Sequence, residues 1–264
     1  MTYRELVREN ADVLDAKNLI LGLNGWSLTE YALKGDEPVN EAFLCAFSKG
    51  VERLRAGEPV QYVLSEAYFY GFPFYVNRNV LIPRLDTEIL VSEVLREVKE
   101  GSVLDLCTGS GCIGITLKKE CPELDVTLAD ISEGALSVAT RNAGALGAEV
   151  KIVHSDLFSG ISERFDVVVS NPPYICSGEI DTLDRNVKDF EPRLALDGTE
   201  DGLFFYRAIA REAGAHLKQG GRIYFEIGCD QGETVPEILR DNGFREVKVI
   251  KDLAGLPRVV KAAK

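Results

Sequence analysis

Residues 102–115 read SVLDLCTGSGCIGI, and the change of pattern inside that stretch decides the fold. Ser102 to Leu106 form a short apolar run of strand length. Gly109, Gly111 and Gly114 follow as a G-x-G-x-x-G, and a helical pattern continues from there. A strand that turns through glycines into a helix lets the backbone approach a ligand and leaves the first helical N–H groups free to meet it. The next apolar run, DVTLAD at 125–130, ends on Asp130, 21 residues after Gly109, where a carboxylate can accept both hydroxyls of a ribose. A glycine pattern alone is satisfied by a tight turn. Between a strand and a helix, with an acid closing the next strand, it points to an adenosine-type ligand. A dinucleotide and S-adenosylmethionine fit it alike. Asp105 sits inside the first strand, and a buried carboxylate needs a donor or a cation. The methionine part of a ligand would meet that need, and so would the loop's own N–H groups.

Outward from this centre the chain alternates. Apolar runs recur at VKIV (150–153), FDVVVS (165–170) and RIYFEI (222–227), separated by helical stretches such as EGALSVATRNAGAL (133–146) and LFFYRAIAREAGAHL (203–217). Such alternation implies an α/β fold, with parallel strands covered by helices on both faces. The last run, REVKVIKDLAGLPRVVKAA (245–263), holds two strand-like pieces around a glycine-containing connection, which predicts a closing antiparallel hairpin. The first quarter of the chain reads differently, as helices. Tyr3, Leu6, Val7, Val13 and Leu14 fall near one face of a helix, Ser27 and Glu30 have capping-box spacing over LTEYALK (28–34), and a third helix starts at Asn40 with Phe43, Leu44, Phe47, Val51 and Leu54 as its stripe. Gly57 stops it. Between the two regions, AYFYGFPFYVNRNVLIP (67–83) is rich in aromatic residues and broken near Gly71, the pattern of a β-hairpin whose aromatics form core.

Composition narrows the function. With 45% hydrophobic and 27% charged residues the chain is an ordinary globular protein. It has no apolar run near the roughly 18 residues a membrane span needs. The charged start MTYRELVREN has no apolar signal core. Cys45, Cys107, Cys112, Cys121, Cys176 and Cys229 form no C-x-x-C pair, and with only His154 and His216 beside them no structural metal site is expected. Scattered cysteines read as reduced thiols in a cytoplasmic protein. The net charge of −12, without a Lys/Arg cluster, argues against a nucleic-acid partner and for a protein or small molecule.

Directly after FDVVVS comes Asn171-Pro172-Pro173-Tyr174. In an open parallel sheet, ligands bind outside the carboxyl ends of the strands, so this turn and the glycine loop share one crevice. Two prolines fix the backbone and remove two N–H groups, leaving carbonyls aimed in set directions. A planar –NH2 group has two donors. The Asn171 side-chain oxygen and the Pro172 carbonyl can accept them, while Tyr174 offers a flat face. Holding both protons raises electron density on a nitrogen whose lone pair is otherwise delocalised, and points that lone pair at an electrophilic methyl. Positioning and fixed dipoles then supply much of the rate, without a strong base. By itself the motif serves an adenine amino group or a glutamine amide equally well.

These features resemble the class I S-adenosylmethionine-dependent methyltransferases that modify planar nitrogens. The wider sequence is similar to the HemK/PrmC family of peptide-chain release-factor glutamine methyltransferases. The matching segments are PVQYVLSEAYFYGFPFYVN (59–77), LIPRLDTEILV (81–91), VLDLCTGSGCIGI (103–115), LADISEGAL (128–136), SDLF (155–158), VVVSNPPYI (167–175), EPRLALDGTEDGL (191–203), FEIGCDQGE (225–233) and DLAGLPRVV (252–260). They span nearly everything after the N-terminal helices. The resemblance implies a seven-stranded, mostly parallel sheet ending in an antiparallel hairpin. It divides the chain into a helical substrate-docking domain over 1–66, a hairpin linker over 67–84 and a methyltransferase domain over 85–264.

It also implies roles by position. Asp105, Cys107, Thr108, Gly109, Ser110 and Gly111 would hold the methionine part of S-adenosyl-L-methionine, Asp130 the ribose, and Asp156 and Leu157 the adenine, with Asn171 reaching the cofactor as well. Asn171, Pro172, Pro173 and Tyr174 would bind the substrate glutamine, with Asn171, Pro172 and Tyr174 in the catalytic part. The implied reaction methylates the glutamine of a Gly-Gly-Gln tripeptide in a release factor and leaves S-adenosyl-L-homocysteine. The partner would be that protein, with no direct nucleic acid and no membrane, and the enzyme a cytoplasmic monomer. A ribosomal-protein glutamine is an alternative substrate, and a DNA adenine a more distant one. Three positions depart from the family pattern. Cys107 replaces the first loop glycine, which implies a backbone that avoids positive φ there. Leu85 stands for a usual proline and Ser65 for a frequent glycine. Arg84 and Glu88 are candidates to orient the linker against the active site, or plain ion-pair residues, and Glu191-Pro192-Arg193 is a candidate border of the substrate channel, or loop structure.

Overall fold

Short apolar runs that stay buried at nearly every position belong in a sheet covered on both faces. The computed structural model describes residues 1–264. In chain order it forms α1 (Tyr3–Glu9), α2 (Ala16–Asn24), α3 (Leu28–Lys34), α4 (Glu41–Arg55) and α5 (Val60–Leu64), then the hairpin β1 (Glu66–Phe69) and β2 (Phe72–Tyr75). There follow α6 (Thr87–Glu97), β3 (Gly101–Leu106), α7 (Cys112–Glu120), β4 (Leu124–Asp130), α8 (Glu133–Leu146), β5 (Lys151–His154) and β6 (Phe165–Ser170). The rest is α9 (Arg185–Lys188), α10 (Phe204–His216), β7 (Leu217–Glu226), α11 (Thr234–Asp241), β8 (Arg245–Lys251) and β9 (Pro257–Ala263). The chain divides into two compact units: residues 1–66 with 184–190, and residues 67–183 with 191–264. No helix is long and apolar enough to cross a membrane.

In the helical unit, Tyr3, Leu6, Ala16, Leu19, Ile20, Phe47 and Val51 make the core. The capping box of Ser27 and Glu30 starts α3, and the Asn40 side chain caps α4. One expectation needs correcting: Val13 and Leu14 do not extend the first helix. It stops at Glu9, Val13 tucks into the core after a turn, and Leu14 is 96% exposed. The strong apolar helix of this stretch is instead α2, which approaches α4 so closely that a Cβ on Gly50 would lie 2.6 Å from a Leu19 methyl. Ser65 ends α5 in the left-handed conformation, φ 58°, which explains why glycine is usual at this helix end.

In the larger unit the seven strands lie in the order β5-β4-β3-β6-β7-β9-β8. All neighbours run parallel except β7–β9 and β9–β8, which are antiparallel. The expected seven-stranded, mostly parallel sheet with its C-terminal hairpin is therefore the one observed. Two cores cover its two faces. One gathers Leu90, Val94, Ile115, Leu128 and Val169; the other gathers Leu104, Leu106, Val168, Ile209 and Phe225. The two-stranded hairpin turns at Tyr70 and Gly71, both with positive φ, and buries Phe69 and Phe74 in the first core while Tyr68 faces solvent.

Candidate active site

From β3 the chain steps to β4 and then β5 on one side, whereas β6 and β7 lie on the other. The direction of winding reverses between β3 and β6, and the strand ends there are held apart by departing connections. A cavity of about 630 Å³ lies at that place. Its wall includes Cys107, Thr108, Gly109 and Ser110 after β3, Asp130 at the end of β4, Asp156 and Leu157 after β5, and Asn171 and Pro173 after β6. These residues are up to 66 positions apart in sequence, and parallel pairing brings all of them to one edge.

The loop after β3 is built largely from its own atoms. Asp105, fully buried, accepts the Thr108 hydroxyl at 2.6 Å and the Gly114 N–H at 2.9 Å on Oδ2. It stands behind the loop and not on the cavity wall, so of the two readings of this carboxylate, bracing the loop is the one the geometry favours. Burial drives its pKa up to about 7, with Thr108 and Gly114 opposing and nearby Asp130 adding. Its Oδ1 has no hydrogen-bond partner. Gly111 also stays off the wall. It caps α7 at φ 81°, and a Cβ there would meet an Ile115 methyl at 2.6 Å. Gly114 admits no side chain either, since a Cβ would lie 2.2 Å from a Leu128 methyl. That close approach of α7 to β4 sets the helix start against the cavity.

Cys107 overturns the expectation drawn from its departure. Its φ is 57°, so the backbone keeps the left-handed turn of the usual glycine and the side chain tolerates it. The next N–H, of Thr108, is fixed to the Ala129 carbonyl at 3.1 Å, which imposes the turn from β4. The left-handed form costs a non-glycine residue roughly 1–2 kcal/mol. Burial pushes the Cys107 thiol far up, helped by Asp130, so it is a neutral wall group.

Asp130 is oriented by two backbone donors, Gly109 N–H to Oδ2 and Ser132 N–H to Oδ1, both at 2.9 Å. Each oxygen keeps a second lone pair for a ligand. Burial raises its pKa, against the pull of these N–H groups. Asn142 of α8 was not foreseen. Fully buried, it donates to the Ser110 carbonyl at 2.9 Å and to the Tyr75 carbonyl at 3.0 Å, and accepts the Tyr75 N–H at 2.7 Å, tying the loop to β2. Its place in an alanine-rich helix gave no sign of this. Leu157 also has positive φ, 46°, which carries its side chain out of line with β5 and onto the cavity wall.

The turn after β6 is held differently. Gly198 N–H donates to the Ile175 carbonyl at 2.8 Å, and Ile175 N–H to the Leu196 carbonyl at 3.0 Å. A Cβ on Gly198 or Gly202 would lie 2.7 or 2.4 Å from the Tyr174 backbone. Gln231 Nε2 bridges the carbonyls of Tyr174 and Gly202 at 3.1 and 3.2 Å. Neither Pro172 nor Tyr174 lines the cavity. The Tyr174 ring packs against the second core, and its phenol is pushed far up by burial and by Glu226, with Arg258 and Arg84 opposing. Asn171 donates from Nδ2 to the Thr87 hydroxyl at 3.4 Å. Behind this pair is Glu226, 1% exposed, whose carboxyl burial raises to about 7 while Thr87, Arg258 and Asn171 favour its ionised form.

The border residues also resolve. Arg84 pairs with Glu191, whose other oxygen accepts the Ile82 N–H at 3.2 Å, and both Arg84 and Pro192 reach the cavity wall. Glu88 accepts the Tyr70 N–H at 2.7 Å and so anchors the hairpin. Leu85 is exposed, and its carbonyl accepts the Glu88 N–H at 3.1 Å within the start of α6.

The arrangement can hold a flat ring beside Leu157, a diol at Asp130 and a polar chain against the Thr108–Ser110 backbone, with an amide group arriving at Asn171. A Cβ on Gly109 would meet nothing within 4 Å, so backbone and open space face one another there. The residues thus fit S-adenosylmethionine. Comparison with known proteins gives the same direction. The Methyltransferase small domain family model matches residues 84–199, and the PrmC N-terminal domain model residues 4–64. The release factor glutamine methyltransferase of Agrobacterium fabrum is 39% identical over 257 residues, covering 94% of this chain and 89% of that protein. The release factor glutamine methyltransferase of Streptococcus pneumoniae is 40% identical over 260 residues, covering 97% and 93%. Among solved structures, a methyltransferase from Pyrococcus furiosus shares the fold with a TM-score of 0.56 at 20% identity, covering 74% of this chain and 90% of that one.

Proposed function

The chain belongs to the family of release factor glutamine methyltransferases, and from that premise we propose that it methylates the glutamine of a Gly-Gly-Gln segment in a release factor. It is an S-adenosylmethionine-dependent protein-glutamine methyltransferase. The observation that carries the substrate reading is the position of Asn171 on the wall of the same cavity as Asp130 and the loop after β3. An amide held there is brought up to the ligand that the loop and Asp130 hold.

S-adenosylmethionine supplies an electrophilic methyl group on a sulfonium. The chain's own residues do the rest. Asp130 takes the ribose hydroxyls, Leu157 and Asp156 flank the base, and the Cys107–Gly111 loop, braced by Asp105, receives the methionine part. Asn171 Oδ1 accepts an N–H of the substrate –NH2 from the cavity wall, which orients its plane and aims the nitrogen lone pair along the cavity. The nitrogen becomes acidic only as it bonds the methyl, so its proton leaves late and no strong base is required. Positioning and fixed dipoles of this kind account for large rate factors. Pro173 lines the cavity beside Asn171, and Tyr174 shapes the turn.

The net charge of −12 supports a protein partner over DNA or RNA. On this reading the enzyme works in the cytoplasm as a monomer on the folded release factor, with the helical unit as its docking domain. The test offers radiolabelled S-adenosylmethionine with a release factor, with its Gln→Ala variant and with DNA. Label in the unaltered release factor alone is expected. Label in the variant, or only in DNA, would overturn the assignment.

A further inference from the structure

Asn171 can serve as acceptor only if its amide is turned the right way, and nothing in the turn of residues 171–174 fixes that. The bond from Nδ2 to Thr87 is long, 3.4 Å, and an amide rotated by half a turn would present its donors to the substrate instead. The residue that decides the matter lies on the neighbouring strand. β6 and β7 are parallel with Ser170 opposite Phe225, so Asn171 and Glu226 are the next pair in register. Residues opposed across adjacent strands point to the same side with Cβ atoms roughly 5 Å apart. Thr87, in the first turn of α6 and 2% exposed, reaches the same place.

Glu226 is a costly residue to bury there. It is 1% exposed, and its Oε2 has no hydrogen-bond partner. Arg258 lies near enough for its charge to favour the ionised carboxyl, but its terminal nitrogens go to Asp86 at 3.2 Å, Asp252 at 3.4 Å and the Ile227 carbonyl at 3.4 Å, and its Nε has no hydrogen-bond partner. A buried carboxyl with an open oxygen is kept where a neighbour needs an acceptor. Of the two neighbours with donors to spare, Arg258 and the Asn171 amide, the amide is the one in strand register with Glu226 and on the cavity wall.

We propose that Glu226 is a positioning residue for methyl transfer: with the Thr87 hydroxyl it takes the N–H groups of Asn171 and so turns Asn171 Oδ1 to the cavity as acceptor for the substrate amide. The proposal rests on the glutamine-methylation reading above for its consequence, and on the fold alone for its geometry. Removing the acceptor while keeping the volume, as in Glu226→Leu, leaves the Asn171 donors unpaired and the amide free to turn. Glu226→Gln restores an acceptor oxygen.

The test has two readouts on the full chain. In the protein labelled with 15N-asparagine, the Asn171 side-chain protons, identified by their loss in Asn171→Ala, are expected to show a nuclear Overhauser contact to the Glu226 side chain and slow exchange with solvent. Exchange should speed at least about tenfold in Glu226→Leu, as a lost buried hydrogen bond implies. In the methyl-transfer assay, Glu226→Leu should lower kcat by about 10- to 100-fold with the KM for S-adenosylmethionine within about threefold, and Glu226→Gln should recover most of that loss. Absence of the Overhauser contact in the wild-type protein overturns the proposal, even if Glu226→Leu fails to fold. So does an unchanged kcat in Glu226→Leu, or equal losses in the two variants. If the wild type methylates no release factor, the functional reading fails, and the amide measurements still decide the orientation.

Discussion

The loop after β3 and the turn after β6 face one cavity from adjacent strands, yet they are held in place by opposite means. The loop is shaped by neighbours in sequence: Asp105 bonds Thr108 and Gly114, and Gly111 turns where its own conformation allows. Asp130, Asn142, Ser170 and the Ala129 carbonyl join it from outside. The turn is clamped by residues far along the chain, namely Thr87, Gly198, Gly202 and Gln231, with Glu226 behind. The loop presents mainly backbone to a ligand common to many enzymes. The turn presents one side chain whose orientation must be right for one substrate. A backbone site needs local conformational permission, whereas a side-chain site needs a surrounding of fixed donors and acceptors.

Substitutions at four positions break or sharpen this contrast. Asn171→Ala has the largest effect, because it removes the aimed acceptor. It should lower kcat by at least about 100-fold, while isothermal titration finds the affinity for S-adenosylmethionine within about threefold. A parallel loss of affinity would mean the turn also carries the cofactor.

Gly202→Ala tests whether the remote clamp matters. Its Cβ would lie 2.4 Å from the Tyr174 carbonyl in a backbone of φ 70°, so the turn must move. Overpacking of this kind costs roughly 1–3 kcal/mol, and steady-state kinetics should show about a tenfold fall in kcat with cofactor affinity retained. An unaltered kcat would show that the turn holds without its clamp.

Asp105 tests the loop through pH. Its folded pKa, about 7, lies above the ordinary 3.8, so the folded state keeps this proton longer than the unfolded one. The contribution to stability is greatest below pH 4, falls as pH rises toward 7 and is level beyond. The fall is at most about 1.4 kcal/mol per pH unit. Asp105→Asn removes it, so the stability of the variant relative to wild type should climb from pH 4 to 7 in denaturant titrations. A constant difference across that range would show that Asp105 is not buried as described.

The smallest effect is at Cys107. With φ at 57°, Cys107→Gly relieves strain but loosens the unfolded chain, so stability should change by less than about 1 kcal/mol. Cys107→Val puts a β-branched residue into that conformation and should cost about 1–3 kcal/mol. Thermal unfolding of the pair checks this, and equal stabilities would deny the left-handed turn.

Much of the fold was legible. Burial on both faces leaves continuous apolar runs, so β3, β4, β6 and β7 stood out, and so did the hairpin of β8 and β9. The capping residues Ser27 and Asn40 marked their helices because side-chain caps are local. α2 was missed because its apolar residues follow a turn at Asn10–Asp15 that carries no glycine or proline, so Val13 and Leu14 looked continuous with α1. Of the site, the loop and Asp130 were legible by spacing and Asn171 by its prolines. Asn142, Glu226 and Gln231 were not, since each is polar in an ordinary stretch and acquires its meaning only from a partner dozens of residues away.

The sequence by itself determined the alternation of strands and helices in the larger unit, the glycine turn and the chemistry of an amide acceptor beside rigid prolines, because each depends on residues within one or two turns of backbone. The tertiary structure alone decided that Cys107 adopts a glycine's conformation, that Asp105 braces the loop, and that the Tyr174 ring packs against the second core. It alone placed Glu226 beside Asn171. Those outcomes depend on which strands become neighbours and in what register, and burial then fixes the hydrogen bonds that water would otherwise satisfy.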